Sequence, residues 1–457
     1  MTKIILIIFL GLVLRLISIN QSFWLDEATT ANVSALGVKE ILTIFSPGDF
    51  HPPLYYLLTH LWSYVFGFGE IPLRTLSVIF GAGTVYVVYL IGKEMMDKNG
   101  GIIASILLAT SGLHIYYSQE ARMYALSAFL VSLTMLFFVK TFKKGRVGEW
   151  VLFSLFLVLS AFADYLPILI IPGLWIFAWS QKLKASWWEK FLASHIILIG
   201  AGLLWLPTFL RQLAAGLSVR THSPFWWQIL GKTNFKQLIL IPTKFVFGRI
   251  DMEVNFWQIA IVGFVFLFFV IVLFKSLREF KKTKLIWFWF LLPIAIAGAI
   301  SFFVPTLSYF RFLFVLPAFY LLIAGGLATL PKKISGLTIG VLIIFNLITS
   351  GIYLFNNKNH REDWRGLVSF IRQESSDNTA VVFVADSQQE AYRYYDKDVK
   401  ILTSEDLNDG FSELWLMRYV QNVFDPDDST RSKIEDLGYK KGEEFNFNGV
   451  VVWRYKR

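Results

Sequence analysis

The sequence predicts a polytopic α-helical membrane protein with a small soluble α/β domain at its C-terminal end, and three observations carry that prediction. Apolar runs of helical length recur through residues 1–355. Charged residues make up only 17% of the chain against 55% hydrophobic ones, so most of it has no use for water. Lysines and arginines collect in alternate connections between the runs, as they do in chains that thread a bilayer.

The runs fall at about residues 4–19, 71–92, 101–117, 123–139, 150–163, 165–180, 188–207, 256–274, 285–303, 309–329 and 335–355, which is about eleven helices of spanning length. Residues 52–68 are apolar and aromatic but short and follow His-Pro-Pro, which predicts a helix lying in or re-entering the interface. The first run has a charged residue before its core, as a signal peptide would. No small-x-small cleavage site precedes Asn20, so a retained helix is expected.

One set of turns holds Lys93 and Lys98; Lys140, Lys143, Lys144 and Arg146; Lys182 and Lys184; Lys275, Arg278, Lys281, Lys282 and Lys284; and Lys332 and Lys333. That set is expected in the cytoplasm together with the N-terminus. The opposite set includes residues 20–70, with one lysine and five acids, and the turns at Asp164 and Val304-Pro305. An odd number of spans then puts residues 356–457 outside the cell membrane. The division is a transmembrane domain, 1–355, and an extracytoplasmic α/β domain, 356–457. The net charge of +10 splits into about +14 and about −4 between them, so the basic residues flank the membrane and do not point to nucleic acid.

Within the soluble part, an amphipathic start at 364–372, strands at 380–385, 413–420 and 450–455, and helices at 388–395 and 429–437, the last stopped by Gly438, form the expected α/β unit. The absence of cysteine excludes disulfides, thiolate catalysis and cysteine metal sites.

In so apolar a chain, ionisable residues at helix ends are informative, because burial at that depth costs several kcal/mol unless the group is paired or hydrated. Asp26 and Glu27 follow the first span, Arg74 opens the second, Gln119, Glu120 and Arg122 lie between the third and fourth, and Arg311 lies just inside the tenth. Together they suggest one outward-facing polar cavity. A carboxylate such as Asp26 can take a proton from an attacking hydroxyl, and arginines can stabilise a phosphate leaving group. The pairing fits group transfer from a lipid phosphate, and the chain has no glycine-rich phosphate loop.

The strings Leu25-Asp26-Glu27-Ala28, His51-Pro52-Pro53-Leu54-Tyr55-Tyr56, Pro72-Leu73-Arg74 and Ser118-Gln119-Glu120-Ala121-Arg122-Met123-Tyr124 resemble those of the GT-C membrane glycosyltransferases. So do the strings from Arg311 to Pro317 and from Glu362 to Arg365. The likeness is to the bacterial and archaeal branch related to protein O-mannosyltransferases and the lipid A aminoarabinose transferase, and it covers most of residues 1–370. It implies inverting transfer of a sugar from a polyprenyl- or dolichyl-phosphate donor to a protein, lipid or glycan acceptor on the outer face. Asp26 would be the general base, and Glu27 would assist it or orient the acceptor. Arg74, Arg122 and Arg311 would hold the donor phosphate, His51 and Tyr55 would line the acceptor side, Glu120 would fix Arg122, and Gln119 and Tyr124 would complete the substrate site. A lipid-linked sugar flippase or transporter is the rival reading, although a translocator should place charges near mid-membrane.

No cofactor is required by these motifs. A divalent metal on His51 with Asp26 or Glu27 stays open, while Asp164-Tyr165 replaces the His-Tyr pair of many relatives. Asp396-Lys397-Asp398 and Asp425-Pro426-Asp427-Asp428 match the metal-binding Asp-x-Asp pattern but read as surface turns. The basic, aromatic segment 211–255 is either a lid over the cavity or a plain interfacial loop.

Overall fold

A computed structural model describes residues 2–143, 145–229, 231, 234–250 and 255–457. Lys144, and residues 230, 232, 233 and 251–254 of the segment read as a lid, lie outside the described residues.

Every predicted apolar run is helical. By length and composition six helical stretches among the described residues can cross a bilayer, seven if a pair bent by 63°, Lys98–Ala109 with Gly112–Ser118, is one span. The chain is therefore a multi-pass membrane protein. The stretch 256–300 reverses at Ser276–Glu279, since Phe269 and Phe290, on either side of it, both pack on Phe319 with centroids 6.1 Å apart. At the 63° bend the freed carbonyls of Leu107 and Thr110 accept hydrogen bonds from Asn346 (3.0 Å) and Ser350 (2.7 Å) of Lys332–Phe355, which is how a broken helix survives in hydrocarbon. Glycine permits the closest approach: a Cβ at Gly92 would stand 2.6 Å from Cα of Gly101 in the next helix.

The basic turns gather at one end of the bundle. Lys143 pairs with Glu94 at 2.6 Å, and Phe142 packs on Trp187 at 4.9 Å. A Cβ at Gly325 would meet Thr283, Ser276 and Met96 together.

The opposite end carries the segment 17–69 and the soluble unit. Leu25–Ser34 and Leu54–Phe66 are helices there, the second matching the predicted interfacial helix, with Tyr55, Tyr56, Thr59, His60 and Ser63 buried on one face. The span expected to end at 207 continues as one helix, Ala185–His222, straight through Pro207. The first part of the segment 211–255, read as a lid or an interfacial loop, is thus helical, and it leads to Pro224–Ile229, where Trp226 packs on Phe424 of the soluble unit at 5.5 Å.

The soluble unit opens with the helix Trp364–Glu374 and holds strands β1 (Thr379–Phe383), β2 (Lys400–Thr403), β3 (Glu413–Met417), β4 (Lys440–Phe447) and β5 (Val450–Lys456). The sheet order is β2-β1-β3-β5-β4; β1 is parallel to both neighbours and β5 antiparallel to both of its own. Strands β1, β3 and β5 coincide with those expected. Strands β2 and β4 were not expected, and both are edges; β4 is mostly exposed, so no apolar alternation marks it. One buried cluster runs from Phe23, Ala28, Ala31 and Leu73 into Trp364, Leu367, Phe383 and Trp415, which fuses the segment after the first helix to the soluble unit.

Candidate active site

Asp26 and Glu27 occupy the first turn of Leu25–Ser34, where the helix dipole favours carboxylates. Neighbouring residues on a helix point about 100° apart, so the two acids face different surroundings.

Glu27 is fully buried. It accepts Arg74 through Nε at 2.8 Å and Nη2 at 2.5 Å and the Ala121 N–H at 2.8 Å, with Arg361 Nε 3.4 Å away. Arg74, equally buried, gives its remaining N–H groups to the carbonyls of Ile19 (2.8 Å), Gln21 (2.5 Å) and Ser22 (2.9 Å). All five of its donors are engaged inside the protein, which leaves none for a phosphate. Arg361, two residues after the short turn Asn357–Asn359 that follows the last span, also reaches Glu120 (3.2 Å) and the Tyr353 hydroxyl (3.3 Å) and lies over the Tyr116 ring at 4.5 Å.

Asp26 has 38% of its side chain exposed, and its Oδ2 lies 3.6 Å from Arg122 Nη2. Arg122 is itself only 4% exposed. Its Nη1 donates to Tyr56 Oη at 3.1 Å, its Nη2 lies 3.4 Å from His51 Nδ1, and its Nε has no protein partner among the described residues. His51 stands 3.5 Å from Asp49. Burial would raise the Asp49 carboxyl, but His51 and then Arg122 more than offset it and hold it down at about 2. The loop carrying both is clamped by Gln212 of the long helix, which donates to the carbonyls of Ser46 (2.6 Å) and His51 (2.9 Å).

The other predicted residues divide by what they touch. Glu120 bonds Arg361 and not Arg122, because consecutive turn residues diverge, and burial raises its carboxyl despite that arginine. Gln119 braces the fold, donating to the carbonyls of Arg15 (3.0 Å) and Ile17 (2.6 Å) and accepting from Tyr353 (2.8 Å). Tyr55 faces inward to Ser77 at 2.9 Å, and it is Tyr56 that reaches Arg122. Tyr124 packs edge-on against Tyr117 and Phe310, and Arg311, bonded to the Pro305 carbonyl at 3.1 Å, brings its charge to Tyr124 and Asp164.

Between the membrane helices and the soluble unit lies a cavity of about 330 Å³, within the size range of small-molecule sites; Trp24, two residues before Asp26, lines it, while Asp26 and Arg122 do not. Trp24, Tyr116, Arg249, Lys358, Arg361 and Glu362 line it, with the β4–β5 turn at Asn448 and Gly449 as one wall. Arg249 lies over Tyr116 at 4.8 Å. Sequence reading assigned no role to Arg249, Arg361 or Tyr56; the signals were the basic, aromatic segment around the first, the Glu362 string adjoining the second and the His-Pro-Pro string containing the third.

Among the described residues no group of three His, Asp or Glu side chains is arranged to hold a metal. Around His51 the donors do not fit one, since the Arg122 guanidinium stands against both His51 and Asp26, and Glu27 is held by Arg74. The Asp-x-Asp strings serve turns: Asp396 pairs with Arg372 at 2.9 Å, and Asp425 accepts three hydrogen bonds from Ser429 and Thr430.

A family model described as dolichyl-phosphate-mannose-protein mannosyltransferase matches residues 50–210. No curated protein sequence matches the chain. Among solved structures, apo ArnT from Cupriavidus metallidurans is similar with a TM-score of 0.61 at 12% identity, over 98% of this chain and 97% of that one. The same protein bound to undecaprenyl phosphate gives 0.56 at 13%, over 98% and 97%. The archaeal oligosaccharyltransferase AglB from Archaeoglobus fulgidus, in complex with an inhibitory peptide and a dolichol-phosphate, gives 0.59 at 12%, over 99% of this chain and 74% of that one. The chain therefore has the GT-C fold, a bundle of membrane helices with a soluble C-terminal unit, and its resemblance to that superfamily is borne out.

Proposed function

We propose that this protein is a membrane glycosyltransferase that moves a sugar from a polyprenyl- or dolichyl-phosphate carrier to an acceptor on the outer face of the membrane, with inversion at the anomeric carbon. The observation that carries the reading is the Asp26–Arg122 pair: a half-exposed carboxylate against a buried arginine with an unengaged donor, at the end of a GT-C bundle.

The acceptor hydroxyl gives its proton to Asp26 as its oxygen bonds to the anomeric carbon. The bond from that carbon to the phosphate oxygen breaks, and the electron pair leaves with the polyprenyl phosphate. In this reading Arg122, beside Asp26, and Arg249, in the cavity wall, meet the growing phosphate charge. Arg311 extends the basic wall on the Tyr124 side. Glu27 and Arg74 hold the loop that presents Asp26. A single exposed carboxylate beside the leaving-group arginine suits one displacement and hence inversion. The gathered basic turns support an orientation with those turns and the N-terminus in the cytoplasm and the site and the soluble unit outside.

Purified protein incubated with a panel of polyprenyl-phosphate monosaccharides, read by mass spectrometry, tests this. Transfer or hydrolysis of at least one donor is expected; inertness toward all of them contradicts the reading.

A further inference from the structure

The soluble unit does more than cap the bundle, because it supplies a carboxylate to the cavity. Glu362 lies in the short connection between the last span and the helix Trp364–Glu374. Asn448 pins that connection from the β4–β5 turn, donating to the carbonyls of His360 (3.0 Å) and Arg361 (2.8 Å). The carboxylate receives one hydrogen bond on each oxygen, from Tyr419 Oη at 3.0 Å and from Trp364 Nε1 at 3.1 Å. Both donors are neutral, both come from the soluble unit, and their rings pack edge-on at 5.1 Å.

A carboxylate offers about four lone-pair sites, so two single bonds leave capacity on each oxygen. The side chain lines the cavity with Trp24, two residues before Asp26, and the charges of Asp26 and Arg249 reach it. Burial raises its carboxyl. The residue after Tyr419 is Val420, held at φ +45°, a left-handed conformation that a β-branched residue rarely adopts. Strain of that kind persists where the surrounding fold over-determines it, and here it sits at the turn that carries the Tyr419 ring to Glu362.

Resting on the glycosyltransferase reading above, we propose that Glu362, set by Tyr419 and Trp364, binds a hydroxyl group of the acceptor in this cavity and so makes the soluble unit a determinant of acceptor choice. The acceptor class this implies is a polyhydroxylated one, a glycan or glycolipid headgroup, with the indole of Trp24 as its apolar wall. A donor-sugar hydroxyl shares the same chemistry, and the experiment separates the two.

The test uses the full-length protein in nanodiscs, a polyprenyl-phosphate sugar that it turns over, and glycerol as a small polyol acceptor competing with water. The quantity read is the ratio of transfer to hydrolysis, which does not depend on the fraction of active enzyme. E362Q is expected to lower the ratio about tenfold, the scale of one hydrogen bond to a charged group, and E362D to recover part of it. Y419F, which keeps the acid but frees it, is expected to lower the ratio about threefold and keeps the proposal testable should E362Q misfold. An unchanged ratio in E362Q and Y419F overturns the inference while wild-type turnover upholds the enzyme reading. A raised KM for the donor at constant ratio assigns Glu362 to the donor sugar and also overturns it. A wild type that turns over no donor overturns the reading and the inference together.

Discussion

Two acid–arginine pairs, built from adjacent acids on one helix turn, have opposite characters. Glu27 and Arg74 are both fully buried, and every donor of the arginine is engaged; Asp26 is 38% exposed and its arginine's Nε has no partner among the described residues. The first pair ties the segment after the first span to the start of the second, and the soluble unit joins it through Arg361. The second keeps a half-exposed carboxylate and, among the described residues, one guanidinium nitrogen without a protein partner. The difference teaches that charge near a membrane site is not by itself evidence of chemistry: what separates a clamp from a reactive pair is the donor capacity that remains after the protein's own acceptors are counted.

The comparison breaks most visibly if the clamp is opened. E27Q leaves Arg74 and Arg361 without their shared counter-charge, and breaking a buried pair costs about 3–5 kcal/mol. The expected outcome is a large fall in melting temperature, read by tryptophan fluorescence in detergent, with activity falling in step. R122A is expected to act the other way, reducing kcat about a hundredfold, the scale of one lost charge-stabilising donor, while the melting temperature moves by only a few degrees. If R122A instead unfolds the protein, the two pairs are alike and the distinction fails. R249A should raise the donor KM about tenfold, as the loss of one charged contact to phosphate would; an unchanged KM would remove Arg249 from the donor site.

The smallest expected effect sharpens the open side. Asp49 is held at about 2, below the ordinary carboxylate value of about 3.9. A carboxyl depressed on folding stabilises the fold fully above its unfolded value, and that contribution drains away as pH falls from about 4 through 2, a loss on the order of 1–2 kcal/mol. Melting temperatures measured down that range should fall less steeply in D49N than in the wild type.

The helical runs and the soluble unit were legible in the sequence, and so were Asp26, His51 and Arg122 as neighbours, since hydrophobic length, strand alternation and polar residues stranded at helix ends are local signals; the residues lining the cavity were not. The roles were less so. Nothing local tells Asp26 from Glu27, because their surroundings are set by Arg74 and Arg122, 47 residues from Glu27 in one case and brought in by a different helix pair in the other. Gln119 and Tyr55 carried the right chemistry but face the packed interior, where Tyr353 and Ser77 take their polar atoms. Arg361 became visible only once the end of the last span had been folded back against the helix Leu25–Ser34. Strand β4, whose side chains are mostly solvated, had no pattern to read.

The central claim is that Asp26 is the base of an open pair and Glu27 a member of a closed one. The most direct test is turnover of a polyprenyl-phosphate sugar by D26N beside the wild type, with melting temperature recorded on the same samples. The account predicts a loss of at least a hundredfold, the range over which a general base acts, at an unchanged melting temperature. Wild-type turnover by D26N would contradict it.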